Sequence, residues 1–155
     1  RGTDEPLDVL RDIRILPWWM PELGWVPAGF GKAARRLLPK CLSVCMENDI
    51  DPDTIILTGH SLGGAVALIV GALMVRDEIV PQQIVTFGAP RCGRLKLLDG
   101  IPVTCYRHGK DIVPLVPPLM RRHKPLEQKG IKASFIRDHY VHNYIEMDKI
   151  EEVES

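Results

Sequence analysis

Between Thr54 and Met74 the chain reads TIILTGHSLGGAVALIVGALM, and this stretch restricts the possible folds more than any other. Ile55, Ile56 and Leu57 form a short, β-branched-rich run entered from the turn-like NDIDPD segment. Such a run fits a strand of a parallel sheet covered on both faces. A long apolar helix follows at once. Gly59 and Gly63 stand two positions before and after Ser61, giving GxSxG, and Gly64 comes next. A side chain on either flanking glycine is expected to collide where strand and helix meet in a sharp turn. Small residues there lift the serine hydroxyl into solvent as a nucleophile elbow. The competing reading is a strand-to-helix turn carrying an incidental serine. Apolar runs of the right length on both sides favour the elbow.

The remaining segments supply an α/β pattern. Gln83–Phe87 (QIVTF) and 101–107 (IPVTCYR) read as further strands, joined by RCGRLKLLDG with a turn at Asp99-Gly100. GKAARRLLPKCLSVCM, residues 31–46, reads as a crossover helix that Pro39 kinks or divides in two. Leu7, Leu10, Ile13 and Leu16 recur at helical spacing. Near the end, strand-like KASFI precedes a helix expected from about His139 to Val153. Without repeats, low-complexity tracts or linkers, residues 1–155 read as a single α/β domain.

Composition excludes more than it selects. The 20 basic and 20 acidic residues balance, and no basic stripe interleaves with aromatics, so nucleic acid is not an expected partner. The basic run RRHK at residues 121–124 follows a proline-rich turn and reads as a solvated loop. No apolar run reaches the roughly 18 residues of a transmembrane segment. Cys41, Cys45, Cys92 and Cys105 lack metal-site spacing, so neither a metal nor another cofactor is expected. Unpatterned thiols lean toward a reducing, cytoplasmic compartment. A start on Arg1 rather than Met leaves a removed leader open, and with it the localisation.

A serine hydroxyl at its ordinary pKa is a poor nucleophile. It needs an imidazole to take its proton and an acid to orient that imidazole. Asp111 follows the IPVTCYR strand directly, at the carboxyl end where open α/β sheets place functional groups. Its rivals are Asp99, in a turn, and Asp138, beside a histidine. Among the five histidines, His60 abuts the nucleophile, His108 shares the Asp111 loop and His123 lies in the basic run. His139 and His142 remain, and either gives the chain order Ser, Asp, His. Pro17–Phe30 (PWWMPELGWVPAGF) is crowded with aromatics and broken by prolines, and reads as an irregular apolar loop. Its tryptophans, Trp18, Trp19 and Trp25, either cover the core or present apolar surface to substrate. The second reading predicts a preference for medium or long acyl chains.

Six motifs run in order along nearly the whole chain: RGT at Arg1 to Thr3, AGF at Ala28 to Phe30, GHSLGGA at Gly59 to Ala65, TFGAPR at Thr86 to Arg91, DIVPLVPP at Asp111 to Pro118, and DH at Asp138 to His139 followed by Tyr144. In this the chain resembles the class 3 lipases. The resemblance implies an α/β-hydrolase fold, a mostly parallel sheet with helices on both faces. It implies Ser61 as nucleophile, Asp111 as acid and His139 as base, with His142 a helix neighbour. It also implies oxyanion donors at Thr3 and at the backbone N–H of Leu62. The expected activity is hydrolysis of carboxylic esters of lipids through an acyl-enzyme, with a lipid substrate and transient contact with a lipid interface. An acyltransferase would use the same triad with an alcohol acceptor, and a non-catalytic lipase-like module would not turn over at all.

The chain departs from the family pattern in three places. Val26 to Phe30 read VPAGF where many members read VHxGF, and Val9 stands where a lid tryptophan is common. Members usually carry a helix and one or more strands before RGT, so the domain is expected to be partial, with N-terminal strands absent from this chain.

Overall fold

Short runs rich in β-branched and aromatic residues give the larger sheet three of its four described strands. The computed structural model describes residues 16–129 and 139–145. Thr3, Val9, Asp138, the helical pattern over residues 7–15, the KASFI segment and the end of the last helix lie outside the described residues. β1 (Pro17–Met20) and β2 (Gly24–Pro27) form an antiparallel hairpin, followed by α1 (Ala28–Glu47). Then come β3 (Ile56–His60), α2 (Leu62–Arg76), β4 (Gln83–Phe87), β5 (Val103–His108), β6 (Glu127–Lys129) and α3 (Val141–Ile145). The larger sheet has the order β3-β4-β5-β6 and is parallel throughout, in keeping with the expected α/β-hydrolase class.

Several local expectations change. The tryptophan-rich segment is a hairpin rather than an irregular loop, with Pro17 opposite Pro27 at its open end. Proline is tolerated there because an edge strand has no second neighbour that needs its N–H. Pro39 does not divide α1, which runs unbroken through it for 20 residues. The proline sits on the exposed side, where water takes over the carbonyl that loses its donor. β6 has no apolar run to announce it; its three residues extend the sheet from β5 by backbone pairing. The connection from β4 to β5 contains only a 3-10 turn at Lys96–Leu98.

The strand leading to Ser61 is not covered on both faces. Among the described strands β3 is terminal in the sheet, and Ile56 remains 54% exposed. Its other neighbour, α2, is the opposite case, with every residue from Gly64 to Met74 buried. A helix apolar all round has to be enclosed, and α2 is enclosed by β3 and β4 on one side and α1 on the other. The buried stripe Phe30, Ala34, Leu38 of α1 recurs every four residues, so it forms one face.

Two glycines set how closely α2 lies on the sheet. Gly64 and Gly71 are two helical turns apart and share one side of α2. A Cβ on Gly64 would come within 2.8 Å of both the Ala89 Cβ and the Gly59 carbonyl oxygen. A Cβ on Gly71 would come within 2.4 Å of Ile84 Cδ1 and 3.2 Å of Leu57 Cδ1. Leu57 and Ile84 are register partners on β3 and β4, so Gly71 rests over one rung of the sheet.

That contact predicts a coupled pair. Gly71→Ala gains about 1 kcal/mol of helix propensity but incurs overpacking of about 1–3 kcal/mol. Ile84→Val, which removes the colliding methyl, costs about 0.5–1.5 kcal/mol alone. In urea unfolding, the double variant should be more stable than the sum of the singles by at least about 0.5 kcal/mol. Simple additivity would mean that α2 shifts bodily away from the strand pair.

Candidate active site

Ser61 sits between the last residue of β3 and the first of α2, with φ 54° and ψ −128°. A non-glycine residue there is strained, as expected of a serine raised on a sharp turn. Its backbone N–H donates to the Phe87 carbonyl at 2.9 Å, pinning the turn to the end of β4. Gly59 is required: a Cβ would lie 2.4 Å from the Gly63 carbonyl carbon and 2.6 Å from the Gly64 nitrogen. The expectation for Gly63 fails, since nothing lies within 4 Å of a Cβ placed there. The second steric demand falls one residue later, on Gly64, because that position faces the strand while Gly63 faces solvent.

The structure brings Ser61, Asp111 and His139 together. His139 Nε2 is 2.8 Å from Ser61 Oγ, and Nδ1 is 2.7 Å from Asp111 Oδ2. These partners assign the tautomer: Nδ1–H donates to the carboxylate, and Nε2 accepts from the serine hydroxyl. His139 and Asp111 are both buried. Asp111 follows β5 and is held there by its N–H donating to the His108 carbonyl and by Arg107 Nε donating to its own carbonyl, both within 2.9 Å. Its Oδ1 accepts the Val113 N–H at 2.9 Å.

Three supporting residues escape the sequence reading. Tyr144, one turn past His139, donates its phenol O–H to Asp111 Oδ2 at 2.5 Å. Burial first, and then the adjacent carboxylate, raise its pKa far above the ordinary tyrosine value, so it stays a donor. His60 Nε2 donates to the His139 carbonyl at 2.7 Å, and the two rings lie 4.7 Å apart. Burial, followed by the neighbouring His139, lowers the His60 pKa, which favours the neutral ring. Gly88 adopts φ +62°, and a Cβ there would lie 2.9 Å from both Asp111 Oδ2 and Tyr144 Oη and 3.0 Å from His139 Nδ1. The signals for these residues are the tyrosine after DH, the histidine of GHSLGGA and the glycine of TFGAPR, but only the fold makes them converge.

The other candidates lie elsewhere. His142 is exposed and stacks on Tyr140 at 5.8 Å. Asp99 pairs with Arg94 at 2.6 Å in its turn, and Arg94 also contacts His123. His108 is buried edge-on to Tyr144. Leu62 is the first residue of α2, where backbone N–H groups have no intrahelical acceptor. Trp18 lies under the Arg35 guanidinium, 5.1 Å from its carbon. Trp19 and Trp25 meet edge to face at 5.5 Å and line a separate cavity whose wall includes none of Ser61, Asp111 and His139.

With this geometry in place, a family model and three known proteins give likenesses. A family model described as Lipase (class 3) matches residues 1–121. A lipase of Rhizopus niveus is 42% identical over 104 residues, covering 60% of this chain and 26% of that protein. Lipase II from Rhizopus niveus superposes with a TM-score of 0.66 at 30% identity, over 88% of this chain and 57% of that chain. A triacylglycerol lipase whose catalytic centre is formed by a serine protease triad superposes with a TM-score of 0.63 at 25% identity, over 86% of this chain and 56% of that chain. This chain therefore spans about a quarter of the curated relative and a little over half of each solved chain.

The crowding at Gly88 yields a selective test. Gly88→Ala should cost about 1–2 kcal/mol of stability from its positive φ, with overpacking of the buried cluster in addition. The added methyl should nevertheless slow fluorophosphonate labelling of Ser61 by about 100-fold or more, because it displaces His139 from Asp111. Gly63→Ala should label within a few-fold of the parent protein. Equal labelling of all three proteins would show that the His139–Asp111 contact does not govern serine reactivity.

Proposed function

This chain belongs to the class 3 lipase family, and from that premise we propose that it carries the catalytic core of a serine hydrolase cleaving carboxylic esters of lipids. One observation carries the reading: a single imidazole lies 2.8 Å from a strained serine hydroxyl and 2.7 Å from a buried carboxylate. An isolated Ser–His contact would leave the ring free to adopt the wrong tautomer, and Asp111 removes that freedom.

The reaction follows from those contacts. Ser61 Oγ attacks the ester carbonyl as His139 Nε2 takes its proton. Asp111 stabilises the imidazolium through Nδ1. The carbonyl oxygen becomes an oxyanion beside the start of α2, where the Leu62 N–H is one donor and Thr3, by family resemblance, the other. Each such donor is worth about 10²–10³ in rate. His139 returns the proton to the leaving alcohol. Water, deprotonated by the same imidazole, then releases the acyl group from Ser61. None of these steps calls on a metal or cofactor.

Fluorophosphonate labelling combined with hydrolysis of a lipid ester tests the assignment. Ser61→Ala should abolish both. His139→Ala should lower turnover by about 10⁴-fold or more, and His142→Ala by less than about tenfold. The reverse ranking of the two histidines would sink the triad, and parent protein that neither labels nor hydrolyses would favour a non-catalytic module. Transfer to an added alcohol in preference to water would instead identify an acyltransferase.

A further inference from the structure

The cavity beside the hairpin is not part of the triad, and three chain segments build it. The hairpin supplies Trp19 and Trp25, the stretch after β4 supplies Lys96 and Leu97, and the stretch before β6 supplies Leu119 and Arg121. Backbone contacts hold these segments together. Gly93, at φ +110°, lies so close to the hairpin that a Cβ on it would sit 2.4 Å from the Trp25 carbonyl oxygen. The Gly93 N–H also donates to the Arg121 carbonyl at 3.1 Å. The volume is about 760 Å³, within the range of small-molecule sites. Both tryptophans remain more than half exposed and Leu119 is 90% exposed, so the apolar wall faces the opening.

Its charges are unevenly matched. Glu22, the acid in the lining, is held by Arg35 at 3.0 Å and Arg76 at 3.5 Å. Arg94 is neutralised by Asp99. Lys96 and Arg121 have no carboxylate partner among the described residues. Two unmatched cations beside an aromatic and aliphatic wall favour a ligand with one anionic end and a long apolar body. A neutral lipid would leave both cations unused, and a compact polyanion would leave the tryptophan pair uncovered.

We propose that this cavity binds a single-chain fatty-acid carboxylate, with the alkyl chain against Trp19, Trp25 and Leu119 and the head group at Lys96 and Arg121. The assignment stands apart from the esterase reading, because no triad residue takes part. All three tryptophans of the chain belong to the hairpin, so intrinsic fluorescence reports on this place.

The test uses the full chain carrying Ser61→Ala, which cannot consume an ester probe. Brominated fatty acids, kept below their micelle threshold, should quench the tryptophans saturably. Affinity should rise by about two- to fourfold per added methylene. Lys96→Glu together with Arg121→Glu, both at exposed positions, should weaken binding by about tenfold or more, as should replacing the acid with its brominated methyl ester. Equal affinity for acid and methyl ester, or indifference to the charge reversals, would overturn the carboxylate assignment. Quenching seen only with brominated anionic phospholipid vesicles would overturn it in favour of a lipid-surface contact.

Discussion

Asp111 carries a carboxylate at a place with no access to water, and such a group persists only when its oxygens are given donors. Three arrive from different parts of the chain. The Val113 N–H comes from the same loop, His139 Nδ1–H from just before α3, and the Tyr144 hydroxyl from α3 itself. The carboxylate therefore does structural work before any chemistry. It fixes the loop after β5 and draws in the segment that carries the imidazole. Gly88 is the corresponding vacancy, since a methyl there would fall among Asp111 Oδ2, Tyr144 Oη and His139 Nδ1. The site thus depends on space left in β4's exit as much as on groups supplied by the others.

The placement of Ser61 depends on a second closeness. α2 lies near enough to β3 and β4 that Gly64 and Gly71 touch the strands with backbone alone. This proximity starts the helix directly after Ser61 and leaves the serine in a conformation that L-residues avoid. A Gly59 side chain would strike the same junction. The elbow is thus a consequence of helix–sheet packing, and Phe87 secures it from the neighbouring strand.

Much of this was legible in the sequence because it is local. Three of the four strands in the parallel sheet, the long helices, the elbow and the position of Asp111 after a strand all follow from short-range patterning. Spacing alone left the base open between His139 and His142; resemblance to the family pointed to His139, which is the one in contact with Ser61. Contacts between distant segments were not legible. His60 reaches the His139 carbonyl across 79 positions, and Tyr144 reaches Asp111 across 33, and no periodicity encodes either. The hairpin was obscured by its prolines, whose tolerance depends on a strand being at an edge. Gly63 was misjudged because a motif fixes residue order but not which glycine faces the strand.

Among the described residues α3 runs over Val141–Ile145, and it carries Tyr144 into the site. Among the described residues, Tyr144 meets Asp111, His60, Phe87 and His108, and His139 meets Ser61, Asp111 and His60. Among the described residues, the segment is therefore held by the Ser61–Asp111–His139 constellation and the rings around it. An opening of this segment would forfeit those contacts while leaving the packing of α1 on α2 and of α2 on the strands in place. Reactivity and fold would then have separate thresholds, since an opening that disengages the imidazole need not unfold the α1–α2 core.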